Sequence, residues 1–210
     1  MIQIKQHQKY TSLVVEISHN GSFLTVDQAF LSRLESLIKD TKTSDFKAII
    51  FHFKANPDKN GNPIAIAGGN LKELHQLLNI PDLAKLFFMK VRNFLTQLLK
   101  LEPLIITASE GSCIGGGAEW FLHCDYSFLA KNTYLHFKQL EVGLPFGFGG
   151  DQQLLKRCGL NTTTQLIFNA KKVQANDAKK LNLIHEVTDL SLIHISEPTR
   201  QAESRMPSSA

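Results

Sequence analysis

The chain has 210 residues, 43% of them hydrophobic, and a net charge of +4. A globular domain of that size buries about 70% of its unfolded surface, so it needs no disulfide or metal staple to fold. The small, dispersed positive surplus points to no nucleic-acid partner, and no apolar run nears the ~20 residues of a membrane span.

The three cysteines, Cys113, Cys124 and Cys158, form neither a CxxC pair nor a zinc spacing. A sparse, odd count suits a reducing compartment. The first ten residues, MIQIKQHQKY, lack the apolar core of a signal peptide. The expectation is a soluble cytoplasmic protein with no metal site.

In chain order, residues 12–18 (SLVVEIS) are rich in β-formers and end at a His19-Asn20-Gly21 turn. Val26, Phe30, Leu34, Leu37 and Ile38 recur at helical spacing. Residues 46–53 (FKAIIFHF) are a compact apolar run, the pattern of a strand buried on both faces. A polar loop (54–63) and two helical segments follow. The longer, about 82–100, keeps Leu83, Leu86, Phe87, Val91, Phe94, Leu95 and Leu98 on one face. Residues 103–108 (PLIITA) predict another buried strand, and 126–130 and 134–137 predict two more. Helical spacing covers about 152–157, 163–168 and 175–181, and 184–187 predicts a last short strand. Strands alternate with helices throughout, so the predicted class is α/β with a mainly parallel sheet.

From Ser191 (SLIHISEPTRQAESRMPSSA) the periodicity stops and Ser, Pro and Arg dominate, which predicts a flexible tail. The string is similar to translated adapter or vector sequence. The predicted organisation is one domain over 1–190 and a non-native tail over 191–210.

Two glycine-containing loops each open a predicted helix: 65–74 (AIAGGNLKEL) and 111–119 (GSCIGGGAE). The first N–H groups of a helix lack partners, and glycine lets an anion or a carbonyl oxygen approach them. One donor from each loop would form an oxyanion hole. Such turns also serve packing or phosphate binding, although no Lys-Ser/Thr follows the second set of glycines, so it is not a P-loop. Glu119 lies three residues after Gly116, on the same side of the helix. Its carboxylate there is either a proton-transfer group or a first-turn acid that stabilises the helix dipole.

Four segments, AIAGGNLKEL, GSCIGGGAEWFLHCDYSFLA, LEVGLPFGFGG and NAKKVQANDAKKLNLIHEV, resemble the crotonase (enoyl-CoA hydratase/isomerase) family in order and spacing. The likeness covers about residues 12–190. It implies a crotonase-like stack of ββα units with mainly parallel sheets, here without the C-terminal helical region that builds the family's trimers. A homotrimer or hexamer is implied for a chain with that region complete. The substrate implied is an acyl-CoA thioester, with coenzyme A as part of the substrate and no separate cofactor. By motif position, the N–H groups of Gly69 and Gly116 would hold the thioester oxygen. Ala65, Ala67, Gly68, Leu71 and Gly115 would line the substrate path. Asn70, where many members carry Asp, can cap the helix that follows. Glu119 matches the first of two glutamates used by the family's hydratases.

The second glutamate position, counted back without gaps from Gly143 and Gly149-Gly150, falls on Gln139. Glutamine cannot transfer protons as a glutamate does, but it can orient water or substrate. Glu141 lies a strand step of ~7 Å away and would take the role only in a different register. The resemblance therefore implies one-carboxylate chemistry on a thioester of fatty acid metabolism: isomerisation, decarboxylation or slow hydration. The alternative is a non-catalytic acyl-CoA-binding or protein-interaction relative, and a nucleotide-phosphate binder rests on glycine content alone. Lys72 reads as a contact for CoA phosphate or as an exposed helix lysine. His123 and His136 read as satisfied core histidines, and Cys113 as a small buried hydrophobe. Trp120 and Phe121 read as core, and Phe146 and Phe148 as pocket lining or loop packing.

Overall fold

The structure, a computed structural model, describes residues 2–9, 11–21 and 23–189, with the backbone alone for residues 2–9 and 78. The 191–210 segment lies outside the described residues.

Two sheets carry the fold. The first is ordered β1 (Ile2–Lys9), β2 (Ser12–His19), β4 (Ala48–Phe53), β7 (Leu104–Ser109), β9 (Tyr126–Ala130) and β12 (Glu186–Thr188). β1 is antiparallel to β2, and the other pairings are parallel. The second runs β11 (Lys172–Gln174), β10 (Tyr134–His136), β8 (Ser112–Ile114), β6 (Pro63–Gly69) and β3 (Leu24–Val26). There β10 is antiparallel to β11, the remaining neighbours are parallel, and β5 (Asn56–Pro57) pairs antiparallel with β6.

Each turn of the chain adds a strand to the first sheet, a strand to the second and then a helix. β2 and β3 lead to α1 (Gln28–Asp40). β4 and β6 lead to α2 (Leu71–Leu78) and α3 (Pro81–Leu98). β7 and β8 lead to α4 (Gly116–Phe121), and β9 and β10 to α5 (Gly150–Asn169), before α6 (Ala175–Lys180). This is the predicted stack of ββα units. No helix among the described residues is long and apolar enough to cross a membrane.

Side chains alternate between the faces of a strand, and β4 is apolar on both. Ile49, Phe51 and Phe53 enter the main core with Val15 and Ile17 of β2. Ala48 and Ile50 join Val14 and Ile106 in a smaller cluster on the opposite face. The helices dock through apolar stripes with defined starts. Asp27 caps α1 by accepting from Phe30 N at 2.8 Å, and Pro81 opens α3, where no N–H is needed. Trp120 of α4 lies between Phe30 of α1 and Phe94 of α3, with ring centroids 5.5 and 5.7 Å away. Such aromatic pairs contribute about 0.5–1.5 kcal/mol each beyond their buried area. They seat the short helix that carries Glu119.

The structure differs from the sequence reading in places. Val26 ends β3 instead of starting a helix, and β1, β6, β8 and β11 are strands that the reading did not assign. The helical segments at 152–157 and 163–168 belong to one element, α5, interrupted at Gly159 (φ 74°, ψ 174°).

Candidate active site

The two glycine loops meet. Gly68, near the end of β6, has φ +82°, a conformation that side chains rarely tolerate. A Cβ there would also come 2.8 Å from the backbone N of Gly116. The absent side chain is what lets the end of β6 close onto the start of α4. Gly69 follows directly, paired with Val26 of β3. Gly115 caps α4 with φ 55°, and its own N–H donates to His136 O at 2.7 Å, which ties the loop to β10. Gly116 thus stands in the first turn of α4, where helix geometry supplies no carbonyl partner for its N–H. The ring of Phe148 packs directly on it.

Glu119 projects from α4 into the interior and is only 1% exposed. Its Oε2 accepts two backbone N–H bonds, from Phe148 at 3.0 Å and from Gly150 at 2.9 Å. Its Oε1 accepts from Gln139 Nε2 at 2.8 Å. Burial pushes the carboxyl up to about 7 and Asp151 adds to the rise, while the Gly150, Gln139 and Phe148 donors hold it back. A buried acid at that level exchanges protons in either direction near neutrality. Glu119 stands in the first turn of α4, yet it is buried and held by three hydrogen-bond donors away from water.

Gln139 precedes a one-turn 3-10 helix (Leu140–Val142) that ends at Gly143, φ 68°. Leu144 N donates to Gln139 O at 2.9 Å, which fixes the turn. The side chain is 4% exposed, and its Oε1 has no hydrogen-bond partner among the described residues. Glu141 is turned elsewhere: its half-exposed carboxylate lies 3.9 Å from His136 Nε2 and 3.8 Å from Lys138 Nζ. The gapless count to Gln139 therefore finds the residue that touches Glu119.

The structure thus brings together Gly68, Gly69, Gly115, Gly116, Glu119 and Gln139. Ala67, on β6, is half-buried beside them. Ala65 is set back, its side chain in the main core, and Leu71 opens α2 at 64% exposure. Asn70 caps α2 by accepting from Lys72 N at 3.1 Å, and Lys72 is exposed. His123 is a satisfied core histidine. Its Nδ1 lies 2.9 Å from Glu119 O, which as a carbonyl can only accept, and burial pushes the ring down to about 4. His136 Nε2 likewise meets Ala170 O at 2.7 Å. Burial pushes the Cys113 thiol up to about 12, so it is no nucleophile. Trp120 and Phe121 are core, and Phe146 stacks on Phe137. The sequence did not single out the Phe148 and Gly150 N–H groups as anchors of Glu119. The GFGG string marks the turn, but backbone donors leave no side-chain signature.

The Enoyl-CoA hydratase/isomerase family model matches residues 60–206, and this chain belongs to that family. The match takes in much of the segment set apart on composition. The short-chain-enoyl-CoA hydratase of Clostridium acetobutylicum is 32% identical over 133 residues, 62% of this chain and 49% of that protein. The fatty acid oxidation complex subunit alpha of Vibrio vulnificus is 29% identical over 168 residues, 79% of this chain and 23% of that protein. This chain spans less than half the length of either relative. Among solved structures, enoyl-CoA hydratase from Thermoplasma volcanium superposes with a TM-score of 0.78 at 20% identity, covering 89% of this chain and 71% of that one. An enoyl-CoA hydratase from Polaromonas sp. JS666 gives 0.79 at 20% identity, covering 96% and 76%. At that identity the likeness establishes the shared crotonase-like fold.

Proposed function

We propose that this chain is an acyl-CoA enzyme of its family that shifts a double bond, using Glu119 as its one proton-transfer group. The observation that carries the reading is the buried Glu119–Gln139 contact: an amide stands where the family's hydratases use their second glutamate. A β,γ-unsaturated acyl-CoA enters with its thioester oxygen toward the N–H groups of Gly69 and Gly116. Ionised Glu119 takes a proton from C2, and the charge spreads onto the oxygen those donors hold. Protonated Glu119 returns the proton at C4, so the double bond moves from C3–C4 to C2–C3. No water is consumed, and no cofactor is needed beyond the CoA of the substrate. Gln139 fixes the orientation of Glu119 Oε1 without exchanging a proton itself.

The test supplies the protein with a β,γ-unsaturated acyl-CoA and, separately, with crotonyl-CoA. Conversion of the first to its conjugated isomer, with little hydration of the second, supports the reading. Hydration of crotonyl-CoA without isomerisation would overturn it. Gln139 also favours a second reading, a non-catalytic acyl-CoA binder, which predicts thioester binding with turnover of neither compound.

A further inference from the structure

The two oxygens of Glu119 are unequal. Oε2 is filled by two backbone donors, the N–H groups of Phe148 and Gly150. A carboxyl proton on Oε2 would face them head-on, so it belongs on Oε1. The neighbour of Oε1 is the Gln139 amide, 2.8 Å away. Beside an ionised Oε1 only the NH2 end of that amide can face the carboxylate, and the amide oxygen is left buried with no donor among the described residues. Beside a protonated Oε1 the amide oxygen becomes the fitting partner, because a carboxyl O–H donates where a carboxylate accepts. A half-turn about the last side-chain bond exchanges the two ends without moving the backbone.

We propose that Gln139 is a proton-coupled specificity residue: beside ionised Glu119 its amide offers a carbonyl oxygen to the acyl group, and beside protonated Glu119 it turns over and offers NH2. This rests on the acyl-CoA reading above. The first state favours an acyl group that donates there, such as a hydroxyl at C3. The second favours one that can only accept, such as a ketone at C3.

Few other groups compete for the titration. Among the described residues Asp151 of α5 is the charged side chain that acts on Glu119, and Arg92 of α3 acts on His123 with Lys156 and Arg157 of α5. The strands packed on α4 are β3, β6 and β8, and their only titratable side chain is the Cys113 thiol. On the Gln139 side stand Lys138, Glu141 and His136. His123, held down near 4, and Cys113, pushed up to about 12, keep one state across neutrality, whereas Glu119, near 7, does not.

The probes are a matched pair, 2,2-dimethyl-3-oxobutyryl-CoA and its 3-hydroxy reduction product. Neither has a hydrogen at C2, so neither turns over, and their CoA phosphates titrate alike. Calorimetric titration at about pH 6 and about pH 8 gives the ratio of the two affinities. One hydrogen bond gained against one lost should move that ratio toward the ketone by roughly 5–10-fold at the lower pH. Glu119→Gln imitates the protonated acid and should hold the low-pH ratio at both values, and Gln139→Met should flatten the dependence. A wild-type ratio that does not move, or a Glu119→Gln ratio equal to the high-pH value, overturns the proposal. Binding of butyryl-CoA but of neither probe also overturns it and leaves the acyl-CoA reading intact. If butyryl-CoA fails to bind as well, both fall together.

Discussion

The N–H of Gly150, the first residue of α5, donates to Glu119 Oε2 at 2.9 Å, so the start of one helix holds the carboxylate of another. The approach is close: a Cβ at position 150 would come 2.5 Å from Glu119 Cγ. Gly150→Ala therefore forces the Glu119 side chain off its donors. Overpacking of this kind costs about 1–3 kcal/mol. Of the groups that hold the carboxyl down, the Gly150 N–H comes first, so its loss raises the carboxyl further. The expected result is a lower melting temperature, turnover reduced at least ~10-fold, and a pH–rate midpoint above that of the wild type. Calorimetry and a pH–rate profile check both parts, and an unshifted midpoint would mean that Gly150 does not set the Glu119 proton affinity.

Gln139→Glu would place a second carboxyl where the Gln139 amide now sits, 2.8 Å from Glu119 Oε1. Two carboxyls that close cannot both ionise freely, so they share a proton and titrate as a pair with one value raised. One member could then activate water while the other delivers a proton. The variant is expected to hydrate crotonyl-CoA faster than the wild type, with two steps in its pH–rate profile. A variant that folds and binds thioester, yet hydrates no faster, would place the missing requirement outside this pair.

The parts of this arrangement that were legible in the sequence are those carried by side chains. The apolar run of β4, the stripe of α3 and the position of Glu119 three residues after Gly116 all bear a local pattern. Several strands bear none. β8 has three residues inside a glycine loop, and β6 ends in two glycines, whereas a recognisable strand signal needs about 4–8 residues. In β1 the alternation of Ile2 and Ile4 gives way to polar residues, and the strand exists because all eight of its residues pair with β2. The meeting of Gly68 with Gly116 is a tertiary fact between segments far apart in the chain. The outward turn of Glu141 follows from the 3-10 turn after Gln139, which spacing along an assumed strand does not reveal.

Glu119 links stability to pH, and the sign is definite. Its carboxyl is raised from an ordinary 4.5 to about 7. Between those values the folded chain binds more protons than the unfolded one, so stability falls as pH rises across that window. At higher pH the whole cost is present, roughly 3 kcal/mol as an order of magnitude. Glu119→Gln removes the titration while keeping an oxygen for the Phe148 and Gly150 N–H groups. Turnover is expected to fall by about 10²–10⁴. Relative to the wild type, the variant should gain stability between about pH 5 and about pH 8 in urea denaturation. A difference that stays constant with pH would mean that Glu119 keeps an ordinary proton affinity in the fold.

Gly68 offers the sharpest test of the meeting between the loops, because two requirements coincide there: φ +82° and a neighbouring backbone N at 2.8 Å from any added Cβ. Gly68→Ala is small, yet the clash is with backbone and no flexible side chain can move aside. The end of β6 must retreat from the start of α4, carrying Gly69 away from Gly116. In the proposed function the Gly69 N–H is an oxyanion donor; loss of one such donor costs ~10²–10³ in turnover, and that is the loss expected here. Thioester affinity should change less, because most of a CoA ligand lies away from the carbonyl. Gly21 is the control. Its φ is +82° as well, but nothing lies within 4 Å of a Cβ there, so Gly21→Ala tests the strained conformation without the clash. If Gly21→Ala lowers stability alone while Gly68→Ala abolishes turnover in a folded protein, the contact between the loops is catalytic in consequence. Equal and modest effects of the two substitutions would reduce Gly68 to a backbone turn.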